Sequence, residues 1–209
     1  MQIPREDSCL KHKGRKMLPD LLQTTNLFYL LHRIDIDLAD QQQKAVCPYC
    51  GSSLHYSNYL RQPRGGPALP ERLSTRFSLC CSREDCRRRT LPKSTLFMDR
   101  RVYFRVVILI VTTLSQRAPQ KYSKNMLARM LDADRRTINR WLMYFREIFP
   151  ESRIWRTVRG FISPAVTNFG LPGSFVEYYL GKDKSAESAI INCLKLITTG
   201  NPVMKMMEQ

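Results

Sequence analysis

The sequence predicts a mainly α-helical chain with a small β ribbon built on four cysteines, followed by a helix-turn-helix domain. Three observations predict it. Two cysteine pairs, Cys47 with Cys50 and Cys81 with Cys86, bracket a loop rich in proline, glycine and arginine. A strongly apolar run, VVILIVTT at 106–113, sits inside a longer segment that ends at Ala118-Pro119. Residues 121–145, KYSKNMLARMLDADRRTINRWLMYF, then read as two short helices with a sharp turn between them.

Charge narrows the function classes. The 209 residues suffice for one domain or two small ones, and 43% hydrophobic content supports packed cores. A net charge of +16 does not suit a typical enzyme of small metabolites. It suits a polyanion: nucleic acid first, an acidic membrane surface second. No apolar run reaches the roughly 18 residues of a membrane span. The opening MQIPREDS lacks the apolar core of a signal peptide. The expected location is the cytoplasm, with the nucleoid. In that reducing compartment seven cysteines indicate metal ligands or free thiols rather than disulfides.

Residues 1–44 read as a basic arm and an N-terminal helix. The arm, CLKHKGRK, suits a nucleic-acid backbone, or is a solvated tail. Cys9 and His12 have no second ligand pair nearby. An amphipathic helix over 21–39 places Leu21, Leu22, Leu27, Leu30, Leu31 and Ile34 toward a core. His32 reads as a packed or surface histidine. Asp35 and Asp37 would share a face on a strand, a weak signal for magnesium.

Residues 45–98 read as the ribbon with its basic loop. CPYCG at 47–51 is a knuckle: a tight turn brings both sulfurs to one point, and Gly51 lets the backbone turn back on them. Alone it could be a redox dithiol. The second half, RFSLCCSREDC at 76–86, decides against that. Phe77, Leu79 and Cys81 alternate on one strand face, and Cys86 follows at knuckle spacing. The expected ligands are Cys47, Cys50, Cys81 and Cys86, around one structural zinc ion. Cys80 is the substitute for Cys81, and His55 an outside candidate. Four thiolates leave no position for water, so the site is structural, and metal binding would let a segment with little apolar content fold. Arg64, Arg83, Arg87, Arg88, Arg89 and Lys93, with Arg61 and Arg72, make the ribbon a candidate phosphate-binding surface, or a solvated basic face.

Residues 99–150 read as a trihelical domain. Residues 99–117 form its buried helix, capped by Asp99, with a buried strand as the alternative. Leu127, Met130 and Leu131 share an apolar face on the next helix. Asp134 caps the last one. On that helix Ile138, Trp141 and Leu142 face inward and Arg135, Arg136, Asn139 and Arg140 outward, as a DNA-reading helix requires. Arginine bonds guanine edges and asparagine adenine edges bidentately, and Thr137 could reach a phosphate or thymine methyl. The competing reading is a helical hairpin with a solvated basic face. Residues 151–209 form an aromatic, helical extension, with helices at 174–180 and 185–199. Its aromatics either pack or stack on single-stranded bases.

CPYCG, the second knuckle CSREDCRRRT, and then LARMLDADRRTINRW resemble, in order and local motif, the zinc-ribbon plus helix-turn-helix segments of bacterial transposases and mobile-element accessory proteins. The resemblance covers roughly residues 45–150. It implies that Cys47, Cys50, Cys81 and Cys86 bind zinc and that Arg135, Arg136, Asn139 and Arg140 face DNA. The acidic catalytic domain of such transposases has no counterpart in 151–209, so the resemblance supports binding. The expected function is a zinc-containing, sequence-specific binder of double-stranded DNA, a mobile-element accessory or targeting protein or a transcription regulator. Expected partners are a transposase or another nucleoprotein subunit, and a second copy as a homodimer. The alternatives are a small magnesium-dependent nuclease or recombinase using Asp35, Asp37 and a distant glutamate, and an RNA- or protein-binding adaptor.

Overall fold

The computed structural model describes residues 18–98, 101–116, 122–162, 164 and 166–201. The arm with Cys9 and His12, and the caps Asp99 and Ala118-Pro119, lie outside them. The protein is mainly helical with a small sheet. Contacts divide it into two compact units, one of Thr25–Arg105 and the other of Val106 onward with the segment before Thr25.

In the first unit, helix α1 (Thr25–Lys44) buries Leu27, Phe28, Leu31, Ile34, Asp35, Leu38 and Ala39 along one face. It starts later and runs further than the predicted 21–39. A turn with the Thr24 hydroxyl donating to the Leu21 carbonyl at 3.0 Å precedes it. Its last turns are glutamine and lysine, good helix formers without an apolar pattern. Gln43 Nε2 donates to the Leu54 carbonyl at 3.1 Å and the Tyr56 hydroxyl to the Asp40 carboxylate. These bonds tie the helix end to strand β1 (Leu54–Tyr56).

Strands β1, β4 (Leu79–Cys81) and β5 (Arg89–Thr90) form an antiparallel sheet in the order β1-β4-β5. Leu54 lies opposite Cys81, and His55 opposite Cys80. Alternation buries Leu54, Leu79 and Cys81 and leaves Cys80 half-buried on the other face. Strands β2 (Tyr59–Leu60) and β3 (Thr75–Arg76) pair separately. The segment 61–75, predicted as an exposed loop, is pinned in part. Arg64 N–H donates to the Val102 carbonyl at 2.7 Å. A Cβ on Gly66 would stand 2.9 Å from the Phe104 ring and 3.0 Å from that of Phe28, so no side chain fits there.

In the second unit, helix α2 (Arg105–Gln116) is buried from Val106 through Ser115. The predicted buried helix is therefore present despite its β-branched residues. Thr112, Thr113 and Ser115 donate their hydroxyls to carbonyls three or four residues back, which satisfies them in place. Helix α3 (Lys124–Met130) is capped by Ser123 and α4 (Arg135–Met143) by Asp134. A single π turn (Tyr144–Ile148) and a 3₁₀ turn (Phe149–Glu151) carry the chain past Pro150. Helices α5 (Arg153–Val158), α6 (Gly173–Lys182) and α7 (Ala186–Thr199) complete the unit. Phe145, Phe149, Trp155, Phe175 and Tyr179 form a chain of ring contacts at 5.3–6.1 Å. Trp155 Nε1 donates to Asn168 at 2.8 Å. The C-terminal aromatics thus pack, except Phe161 and Phe169, which are exposed.

Candidate metal centre and basic helix

Two turns present the four sulfurs. At the first, Gly51 N–H donates to the Cys47 carbonyl at 2.9 Å and Cys47 N–H to the Ser52 carbonyl at 2.7 Å. Gly51 takes φ +75°, which a side chain would strain. At the second, Arg87 N–H donates to the Arg83 carbonyl at 2.9 Å and Cys81 N–H to the Arg88 carbonyl at 3.0 Å. Here a non-glycine residue, Arg87, holds the left-handed position at φ +43°.

The Sγ atoms of Cys47, Cys50, Cys81 and Cys86 all lie within 4.8 Å of one another. Cys50 to Cys81 is 3.4 Å and Cys47 to Cys86 is 3.9 Å. A tetrahedron with metal–sulfur bonds of ~2.3 Å has edges of ~3.8 Å, so the set fits one ion. The four cysteines are positioned to bind a metal ion, consistent with a zinc site. The Ser52 N–H and hydroxyl draw the Cys50 thiol down to about 6, whereas burial pushes Cys81 up to about 12. A thiolate in such a cage is a strong metal ligand.

The structure separates the alternative ligands. Cys80 points away from the cluster, its thiol 3.5 Å from the Arg87 carbonyl. His55 is exposed on the same strand row. The carboxylate pair also dissolves. Asp35 and Asp37 are on a helix, where residues two apart diverge. Asp35 is buried and accepts from the Thr95 N–H at 2.5 Å, the Thr95 hydroxyl at 2.8 Å and the Ser94 hydroxyl, while Asp37 is exposed. Burial raises the Asp35 carboxyl above its ordinary range, against the pull of these donors. Asp35 therefore organises the 94–96 turn in place of sharing a magnesium ion with Asp37.

The arginines around the cysteine cluster and its connecting loop are not equivalent. Arg61 and Arg72 serve internal contacts: Arg61 donates to the Arg101 carbonyl, and Arg72 to the Tyr29 hydroxyl at 2.6 Å. Arg83 and Arg87 lie 4.0 and 3.5 Å from Asp85 and Glu84, exposed pairs of little energetic weight. Arg88 lies over the Tyr49 ring and Arg89 over Tyr59, contacts with no clear sequence signal. Arg64 and Lys93 have exposed side chains.

Helix α4 begins where Asp134 accepts from the Arg136 N–H at 2.6 Å. Ahead of it Asp132 takes φ +47° and the Ala133 N–H donates to the Ala128 carbonyl at 2.9 Å, closing the turn. Ile138, Trp141 and Leu142 are buried, while Arg135, Arg136 and Arg140 are exposed. Thr137 and Asn139 are half-buried and engaged: Arg140 donates to the Thr137 hydroxyl at 3.0 Å and Lys124 Nζ to Asn139 Oδ1 at 2.9 Å. Met130, expected inward, is 45% exposed; Ala128 takes the inward place beside Leu127. The chain matches no protein-family model, no curated protein and no solved structure.

Proposed function

We propose that this protein is a zinc-containing, sequence-specific DNA-binding protein, acting as an accessory or targeting component of a mobile element or as a transcription regulator. The observation that carries the reading is the division of α4. Ile138, Trp141 and Leu142 are buried, Met143 at its end is exposed, and three arginines stand exposed within two turns of a capped N-terminus. A recognition helix needs that division, because its back must lock while its first turns enter the major groove. The excess of +16 supplies the attraction to phosphate.

In this reading Arg135, Arg136 and Arg140 reach guanine edges or phosphates. Asn139, whose Oδ1 accepts from Lys124 Nζ, lies on the same turns and is the candidate adenine reader. The cysteine set holds one structural zinc ion, and Arg64, Arg83, Arg87 and Lys93 hold backbone phosphates. The nuclease alternative loses the pair on which it rested, since Asp35 and Asp37 do not converge.

Selection from a random duplex library by the metal-loaded protein, at two salt concentrations, tests the proposal. The expected result is a motif that persists at the higher salt, with two-fold symmetry if a dimer binds. Binding without a motif, collapsing as salt rises, would leave only counterion release and overturn sequence reading.

A further inference from the structure

The segment around the cysteines carries two guanidinium–tyrosine contacts. Tyr49 stands between the first two cysteines, 60% exposed, in a turn fixed by the Gly51 and Ser52 hydrogen bonds. The Arg88 guanidinium carbon lies 4.4 Å from its ring centroid. Tyr59 is 36% exposed, with Arg89 at 5.7 Å. Arg89 is further aimed by a 3.2 Å bond to the Ser57 hydroxyl. Among the described residues Arg88 and Arg89 have no carboxylate partner, unlike Arg83 and Arg87. β5 is an edge strand of the sheet, and Arg88 immediately precedes it while Arg89 opens it. The start of that edge thus presents two guanidinium groups, each within reach of a tyrosine ring.

Duplex phosphates are held by charge and hydrogen bonds, which need no neighbouring ring. Planar cation–ring pairs offer flat π surfaces, and base faces are accessible only where bases are unpaired. We infer that the β5 edge of the ribbon binds an unpaired stretch of DNA, stacking bases against Tyr49–Arg88 and Tyr59–Arg89. The inference rests on the DNA-binding reading above and adds a second ligand form, single-stranded, at a site separate from α4. A metal-organised knuckle keeps Tyr49 in place before the strand arrives, so little is lost in ordering it.

The test compares the metal-loaded full chain on fluorescent oligothymidylate and on an abasic oligonucleotide of equal length, which keeps the phosphates and lacks the bases. At one salt concentration oligothymidylate should bind about tenfold tighter. Tyr49→Ala combined with Tyr59→Ala should remove most of that ratio, and Tyr49→Phe should keep it. Arg88→Lys, which keeps the charge and loses the plane, should reduce the ratio with metal content intact; it decides the matter if the tyrosine variants lose metal. Equal affinity for the two oligonucleotides, or a ratio unchanged in Arg88→Lys and the double tyrosine variant, would overturn the inference. The selected duplex is the control. If the wild type binds it through Arg136, failure here leaves the duplex reading standing; absence of all DNA binding ends both.

Discussion

Among the described residues, the apolar side chains that close over the four cysteines are Leu54 and Leu79. In the helical unit Phe145, Phe149, Trp155, Phe175, Ile190 and Leu194 are all buried, as are residues 106–115 of α2. Burying a leucine contributes about 1.5–3 kcal/mol. Two of them cannot offset the ordering of strands two or three residues long and two tight turns, one with Arg87 in a left-handed conformation. The helical unit has no such deficit. On the zinc reading proposed above, the order of the cysteine segment depends on its ligand set, whereas the order of the helices rests on their packing.

The sharpest way to break that comparison is to remove one sulfur. Structural zinc binding carries about 10–16 kcal/mol of apparent free energy in small metal-folded units. In Cys50→Ser the metal content per chain, read by atomic emission, should fall from one toward none, with weakened DNA affinity. Unchanged metal content would show that the four sulfurs are no metal site. The mirror experiment is Trp155→Ala, expected to cost about 3–5 kcal/mol in urea unfolding followed by circular dichroism, with metal content unaltered.

A smaller effect belongs to Asp35, which sharpens the account of the first unit outside the ribbon. Asp35→Ala leaves the Thr95 N–H without its acceptor and should cost about 3 kcal/mol. The pH dependence has a definite sign. Burial lifts the folded carboxyl above its ordinary 3.8, so the folded state holds this proton more tightly than the unfolded chain. The residue's contribution is greatest below that value and declines as pH rises through it toward the folded one. Asp35→Asn should remove the decline; parallel stability–pH curves for variant and wild type would contradict the shift. Arg136→Ala should cost about 1–3 kcal/mol at a selected duplex site and relax base preference there. Equal loss on every sequence would reduce Arg136 to a phosphate contact.

What could be read from the sequence followed local rules. The cysteine spacings located both knuckles, Asp134 marked the start of α4, and the 3–4 spacing of Ile138, Trp141 and Leu142 marked its buried side. Strand alternation favoured Cys81 over Cys80, but only the pairing of β1 with β4 placed Leu54 and Cys81 on the cluster side. The misses were long-range. Asp35 finds its partners 59–61 residues away, so its burial has no local signature. The Arg72–Tyr29 and Arg89–Tyr59 contacts likewise need the folded chain. Met130 failed because α3 is only seven residues long, and small Ala128 fills the place that periodicity assigned to a larger neighbour.

Amide hydrogen exchange on the wild-type protein, with and without a strong zinc chelator, tests the two-source account most directly. Chelation should strip protection from the Leu54–Tyr56 and Leu79–Cys81 strands while Arg153–Val158 and Ala186–Thr199 keep theirs. Protection unchanged in the ribbon strands, or lost equally from those helices, would contradict it.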